Sequence, residues 1–246
     1  MSDVRPSGLP LELPPPATPW MGITVGFAIA RAKILRRPTA LSAVVGAALV
    51  VVAAIIERRV GSAGAVDRTL AATFNVVVPL AAFAVAAEAS GRQNLRDAVW
   101  PAARYGLARR DVALGAAAAG LLASAALGAF FAALAVATAH GEGNPPLARD
   151  LFTSGWIAAL ASAAYTGWFM VGATFGRRGG GRWVPLLLDF AIGGTAGVAG
   201  AILPRAHAVS LLGGAAPLGM TQTSSSAALV ASAALLALAA ALRCGG

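Results

Sequence analysis

Residues 112–139 form an apolar run of 28 residues without a single charged side chain. As a helix this run is about 42 Å long, against a bilayer hydrocarbon core of roughly 30 Å. It therefore has to tilt, or to project one or two turns into the cytosol. Further apolar runs cover residues 39–56, 69–87, 151–176, 184–203 and 227–242. Alanine inflates hydropathy in soluble helical proteins too, but several of these runs exceed the roughly 18 uncharged residues that mark a spanning helix. With 58% hydrophobic and 12% charged residues, the expected fold is an all-α membrane protein with six transmembrane helices.

An amphipathic interfacial helix over 20–37 is expected to precede them. Trp20, Ile23, Phe27, Ala30 and Ile34 recur at spacings of three and four, and Arg31, Lys33, Arg36 and Arg37 crowd the C-terminal end. Residues 1–19 are Pro-rich and lack an apolar core, which predicts a disordered cytosolic tail. Residues 20–246 then form one membrane domain. With the N-terminus in the cytosol, 14 of the 19 basic residues fall on that side, and Arg58, Arg59, Arg68, Arg149 and Arg205 on the other. Both termini are accordingly expected inside.

The formal charge of +9 sits in short clusters at the ends of apolar runs. That distribution suits topology and anionic membrane lipids and excludes nucleic acid as a partner. Cys244 is the only cysteine, so neither an intrachain disulfide nor a cysteine metal cage can form. His140 and His207 fall in expected external loops as solvated side chains, with no metal-ligand cluster beside them. The Arg177-Arg178-Gly179-Gly180-Gly181-Arg182 string resembles a phosphate cradle but lacks the Gly-Lys-Ser/Thr ending, and reads as a flexible basic turn. Ser154-Gly155 lacks the glycine two places before a nucleophilic serine and a histidine base on an apolar helix. Paired acidic residues for a metal-bound lipid substrate are also missing. No catalytic, cofactor-binding or metal-binding residue is expected in this chain.

Asp189 is the one charged residue well inside an apolar run. It is either a polar contact on a transport path or a structural carboxylate, paired with Arg182 or Arg178 near the interface or capping a polar cluster between helices. Glu88, at the edge of another run, is a candidate for the same two roles. Gly172 with Gly176, and Gly193 with Gly197, have the spacing that allows close helix approach.

Between the second and third runs lies a polar, basic island, with a coupling segment over 88–111. It is helix-compatible in two pieces, 90–99 and 101–110, the second opened by Pro101. Leu95 and Val99 share one face while Arg92, Arg96 and Asp97 face solvent, a handle for a soluble partner.

Glu88, Gly91 and the string Leu107-Ala108-Arg109-Arg110-Asp111-Val112-Ala113-Leu114-Gly115 resemble the linking segment of ABC type-2 exporter permeases. The order of parts resembles them as well, including a broken external segment over 204–226. Arg92-Gln93 stands where Thr-Leu is usual, Gly106 where proline is usual, and the segment is about six residues longer than ordinary helix-turn lengths suggest. The resemblance implies a permease domain over 20–246 that dimerises with itself or a second permease in a bacterial cytoplasmic membrane. It implies a separate ATP-binding-cassette subunit that binds ATP and Mg and touches Gly91, Arg92, Arg96, Leu107, Arg109, Arg110 and Asp111. Short re-entrant helices are implied over 209–212 and 215–220. A haem-export permease of cytochrome maturation, and a non-transport membrane scaffold or sensor, are the alternatives.

Overall fold

The computed structural model describes residues 18–61, 64–141 and 143–246. Among them the secondary structure is helical throughout, without a strand. The expected tail falls on residues that, up to 17, lie outside this description, and Pro19 already opens the first helix. Helix α1 (Pro19–Ile34) is separated from α2 (Arg37–Val60) by Leu35 and Arg36. Arg36 is extended, and Pro38 sits in the first turn of α2, where its missing N–H costs nothing.

The next apolar run is one rod with a defect. Helix α3 (Ala65–Ala72) passes through a π-turn at Thr73–Val77 into α4 (Val78–Ala89). Pro79 explains the defect, because it has no N–H to offer the Asn75 carbonyl one turn earlier. The Val78 N–H reaches back to Thr73 instead, and Thr69 and Thr73 bond their hydroxyls to carbonyls four residues back, each at 2.8 Å. Helix α4 ends in a Schellman motif. Gly91, at φ +64°, donates its N–H to Glu88 O at 2.8 Å, and the Arg92 N–H reaches Ala87 O at 2.7 Å.

Helix α5 (Leu95–Ala103) runs through Pro101 as one element. The second island helix, expected over 101–110, does not form on its own, because a turn at Gly106 (φ +82°) intervenes and Arg109 and Arg110 already belong to the next helix. That helix, α6 (Arg109–Ala139), has 31 residues, about 46 Å. Helix α7 (Leu147–Gly172) lies against it, followed by a 3-10 turn at Arg177–Arg182. The expected fifth span is broken into α8 (Trp183–Ile192) and α9 (Val198–Ile202), and α10 (Pro204–Leu211) opens the stretch expected to be broken over 204–226. Gly193, Gly194 and Gly197 weaken the helix there and Pro204 starts a new one; the ten residues of α8 cover only about 15 Å. A 3-10 turn at Pro217–Gly219 leads to α11 (Gln222–Gly245), capped by Thr221, whose Oγ1 accepts the Ser224 N–H at 3.2 Å.

Among the described residues four elements are long and apolar enough to cross a membrane: Arg37–Val60, Ala65–Ala89, Arg109–Ala139 and Gln222–Gly245. The chain is thus a membrane-embedded helical protein. Helix α7, though 26 residues long, is less apolar than these because it contributes Ser154, Ser162, Tyr165 and Thr166 to the interior.

Small residues bring the helices together. On α1 the buried face is Gly22, Gly26, Ala30 and Ile34, whereas Trp20 is 74% exposed. A Cβ on Gly22 would come within 2.7 Å of the Asp111 side chain, one on Gly26 would overlap the Val112 carbonyl, and one on Gly115 the Ile23 carbonyl. Gly128 makes room for Ser162 of α7, and Gly167 for the α11 backbone at Ser232 and Ala233. The predicted pairs act otherwise: Gly172 lies under the Gly181–Arg182 backbone, Gly193 leaves space for Asp189, and nothing lies within 4 Å of Gly197.

Candidate functional site

Two polar constructions stand out from the apolar bundle. The first occupies its basic end. Asn94 caps α5 by accepting the Arg96 N–H at 3.0 Å, and its amide donates to Thr174 O at 3.3 Å and Gly176 O at 3.0 Å. The Leu95 N–H donates to Ala173 O at 3.0 Å. Helix α5 is thereby fastened to the end of α7, while buried Leu95, Val99 and Ala102 join the core. From α11, Arg243 donates to the Thr174 hydroxyl at 3.1 Å and stacks over Phe175 at 3.9 Å.

The basic turn after α7 is ordered by Arg182, which is 5% exposed. Its guanidinium donates to Ser90 Oγ at 2.8 Å, Gly179 O and Arg178 O at 2.9 Å, and Gln93 O at 3.4 Å. These bonds require Arg178 (φ 56°) and Gly179 (φ 68°) to be left-handed. The turn is therefore a built element and not a flexible link. Burial lowers the Arg182 pKa from the usual arginine value, an effect that the Glu88 charge opposes. Burial, and then Arg36, likewise lower the pKa of Lys33, the only lysine in the sequence, whose ammonium lies beside Gly91.

The residues singled out on the island divide by environment. Arg92, Arg96, Arg109 and Arg110 are exposed. Arg92 pairs with buried Glu88 at 2.6 Å, and Arg110 with Asp111 at 3.5 Å. Gly91 is the cap of α4, and Leu107 is a buried core residue, so both shape the surface from beneath.

Removing the Asn94 cap should have a measurable cost. Asn94→Ala loses the cap and both bonds to the α7 end, and is expected to destabilise the protein by about 2 kcal/mol. Asn94→Asp keeps the acceptor but not the donors and should fall between. Thermal unfolding in detergent reads the difference; equal midpoints for all three proteins would contradict the fastening of α5.

The second construction lies inside the bundle. Asp189, 1% exposed, accepts at Oδ2 from Tyr165 Oη at 3.0 Å and from Arg205 Nε at 2.9 Å, with Arg205 Nη2 at 2.8 Å from the same oxygen. Arg205 Nη2 also donates to Asn75 O at 3.0 Å. This carbonyl is the one that Pro79 leaves without its helical donor. Arg205 stacks over Phe190 at 4.9 Å, and Asp189 Oδ1 has no partner among the described residues. Asp189 is thus paired with Arg205, not with Arg182 or Arg178. The cluster ties the π-turn at Thr73–Val77, α7, α8 and α10 together. His207 on α10 is also buried, its Nε2 2.8 Å from Ala201 O, rather than solvated.

Sequence periodicity missed Arg205, Tyr165 and the Asn75 carbonyl. The signal for the last was Pro79 itself. Among the described residues no group of three or more His, Cys, Asp or Glu side chains could hold a metal ion.

The chain matches no family model, no curated protein and no solved structure.

Proposed function

We propose that this chain is the membrane subunit of an exporter powered by a separate ATP-binding-cassette subunit. The observation that carries the reading is the fastening of α5. An amphipathic helix exposing Arg96 and Asp97 is bonded through Asn94 and Leu95 to the end of α7 and packed on the base of α6. A partner that moves α5 therefore moves two long helices with it, since packed elements shift as units. On this reading the basic end faces the cytosol, both termini lie there, and Arg92, Arg96, Arg109, Arg110 and Asp111 meet the ATPase. Six passages of the membrane, with α7 and the α8–α10 segment completing the set and α1 at the interface, belong to the same proposal. So does pairing with a second copy or a second permease. The cargo is not specified by it.

The test is copurification from native membranes in a mild detergent. An ATP-binding-cassette subunit should accompany the tagged chain, and Arg109→Glu with Arg110→Glu should weaken that association by about tenfold or more. Recovery of intact chain without such a subunit, or full association of the doubly reversed variant at an unchanged melting midpoint, would overturn the reading.

A further inference from the structure

At the basic end, between α2, α4 and the Arg177–Arg182 turn, lies an open cleft of about 320 Å³. Three arginines line it, Arg92, Arg178 and Arg182, against one acidic residue, Glu88. That carboxylate is taken by Arg92. Arg182, although 95% withdrawn from solvent by its 5% exposure, takes part in none of the ion pairs among the described residues; its partners are carbonyls and a hydroxyl. Glu88 offsets this charge only through space and is already paired with Arg92, so a buried cation bonded to neutral dipoles is left short of charge compensation. An anion in the cleft would supply it.

The backbone points the same way. Only three non-glycine described residues have left-handed φ: Arg92 at 57°, Arg178 at 56° and Leu218 at 52°. Each costs about 1 kcal/mol relative to glycine. Two of the three are arginines that face this cleft, from loops some 80 residues apart in the chain, as the Asn94 to Gly176 bonds also are. Strain at both positions retains positive charge where glycine would fit the backbone better.

The cleft is also continuous with an apolar groove. Ser42 and Ala84 line both the cleft and a groove of about 290 Å³ that runs between α2 and α4 past Val45, Leu49, Val77 and Leu80. Trp183, 55% exposed and tilted against Phe83 with ring centroids 4.6 Å apart, lines the cleft. Half-exposed tryptophan is the side chain favoured at the level of lipid headgroups.

We propose that cleft and groove form one site for an acidic phospholipid. Its phosphate sits among Arg92, Arg178 and Arg182, and one acyl chain lies along α2 and α4. The apolar groove distinguishes this ligand from a free phosphate, which would use the cleft alone. The site is independent of whether the chain belongs to a transporter.

Native mass spectrometry of the full chain, delipidated in a non-ionic detergent, tests it with phosphatidylglycerol, phosphatidylcholine and inorganic phosphate. Phosphatidylglycerol should be retained about fivefold or more over phosphatidylcholine. Arg178→Gly relieves the strained backbone, so its melting midpoint should not fall, yet retention of phosphatidylglycerol should drop about fivefold with phosphatidylcholine unchanged. Arg178→Glu should lower it roughly 25-fold. Ala84→Phe, which fills the groove, should weaken both lipids. Equal retention of the two lipids, or unchanged phosphatidylglycerol binding in Arg178→Glu, overturns the proposal. Displacement of the lipid by inorganic phosphate, with Ala84→Phe silent, assigns a free-anion site and overturns it too, as does a dimer that closes the groove and excludes lipid.

Discussion

Asp189→Ala is expected to lower stability by about 3–5 kcal/mol, the range for removing one partner of a buried ion pair. The substitution leaves Arg205, whose side chain is 11% exposed, without its carboxylate and the Tyr165 hydroxyl without its acceptor. Arg205→Ala should cost a similar amount by stranding the charge of Asp189. The combination Asp189→Leu with Arg205→Met removes both charges, and much of the loss should return. Recovery should fall short by about 1 kcal/mol, because Asn75 O also loses its donor. Thermal unfolding in one detergent of the unsubstituted protein, Asp189→Leu, Arg205→Met and their combination, analysed as a double-mutant cycle, measures the coupling. Additive losses would mean that the pair contributes nothing as a pair.

Gly115→Leu should be at least as damaging, by a different route. A Cβ there overlaps the Ile23 carbonyl and lies 2.8 Å from the Phe27 amide, while Gly26 from the opposite side is pressed on Val112. Backbone cannot rotate away as a side chain can, so α1 must separate from α6. The expected cost is about 3 kcal/mol or more, at or beyond the upper end for overpacking. Gly26→Leu should behave alike. Gly141→Ala, with nothing within 4 Å of the added carbon, is the control and should be neutral. A Gly115→Leu protein that unfolds with the midpoint of that control would refute the close contact of α1 with α6.

The parts of this fold that were legible in the sequence are those where hydropathy alone decides. The runs that became α2, the α3–α4 rod, α6 and α11 are apolar and uninterrupted, and each forms a helix long enough to cross. The run at 184–203 is apolar apart from Asp189, but Gly193, Gly194 and Gly197 lower helix propensity while adding no charge to mark the break. The break was consequently invisible to a count of apolar residues. It also hid the partner of Asp189. In an unbroken helix Arg205, 16 residues on, would stand about 24 Å away along the axis. Only the fold-back of α10 brings the two together.

Helix α1 shows the same limitation in another form. Its periodic Trp20, Ile23 and Phe27 mark an amphipathic pattern, and bulk draws attention to them. Ala30 and Ile34 of that pattern are buried, but the rest of the buried stripe is Gly22 and Gly26, where the absence of side chains permits the contact. Spacing of four was present in both sets, and the sequence contains no reason to prefer the smaller one until α6 is seen beside it. On the basic end, the exposed arginines of α5 and α6 followed from pattern. The burial of Arg182 did not, because it depends on carbonyls supplied by loops that only the folded chain juxtaposes.

The Asn75 carbonyl has a consequence for how the protein is made. Its donor, Arg205, follows 130 residues later, which at ordinary rates of synthesis is on the order of 10 s. Throughout that interval the carbonyl lacks the donor that α10 brings. Truncation before Arg205 would leave the Asn75 carbonyl without this donor, so the second rod and α10 are joined only once the chain up to Arg205 has emerged.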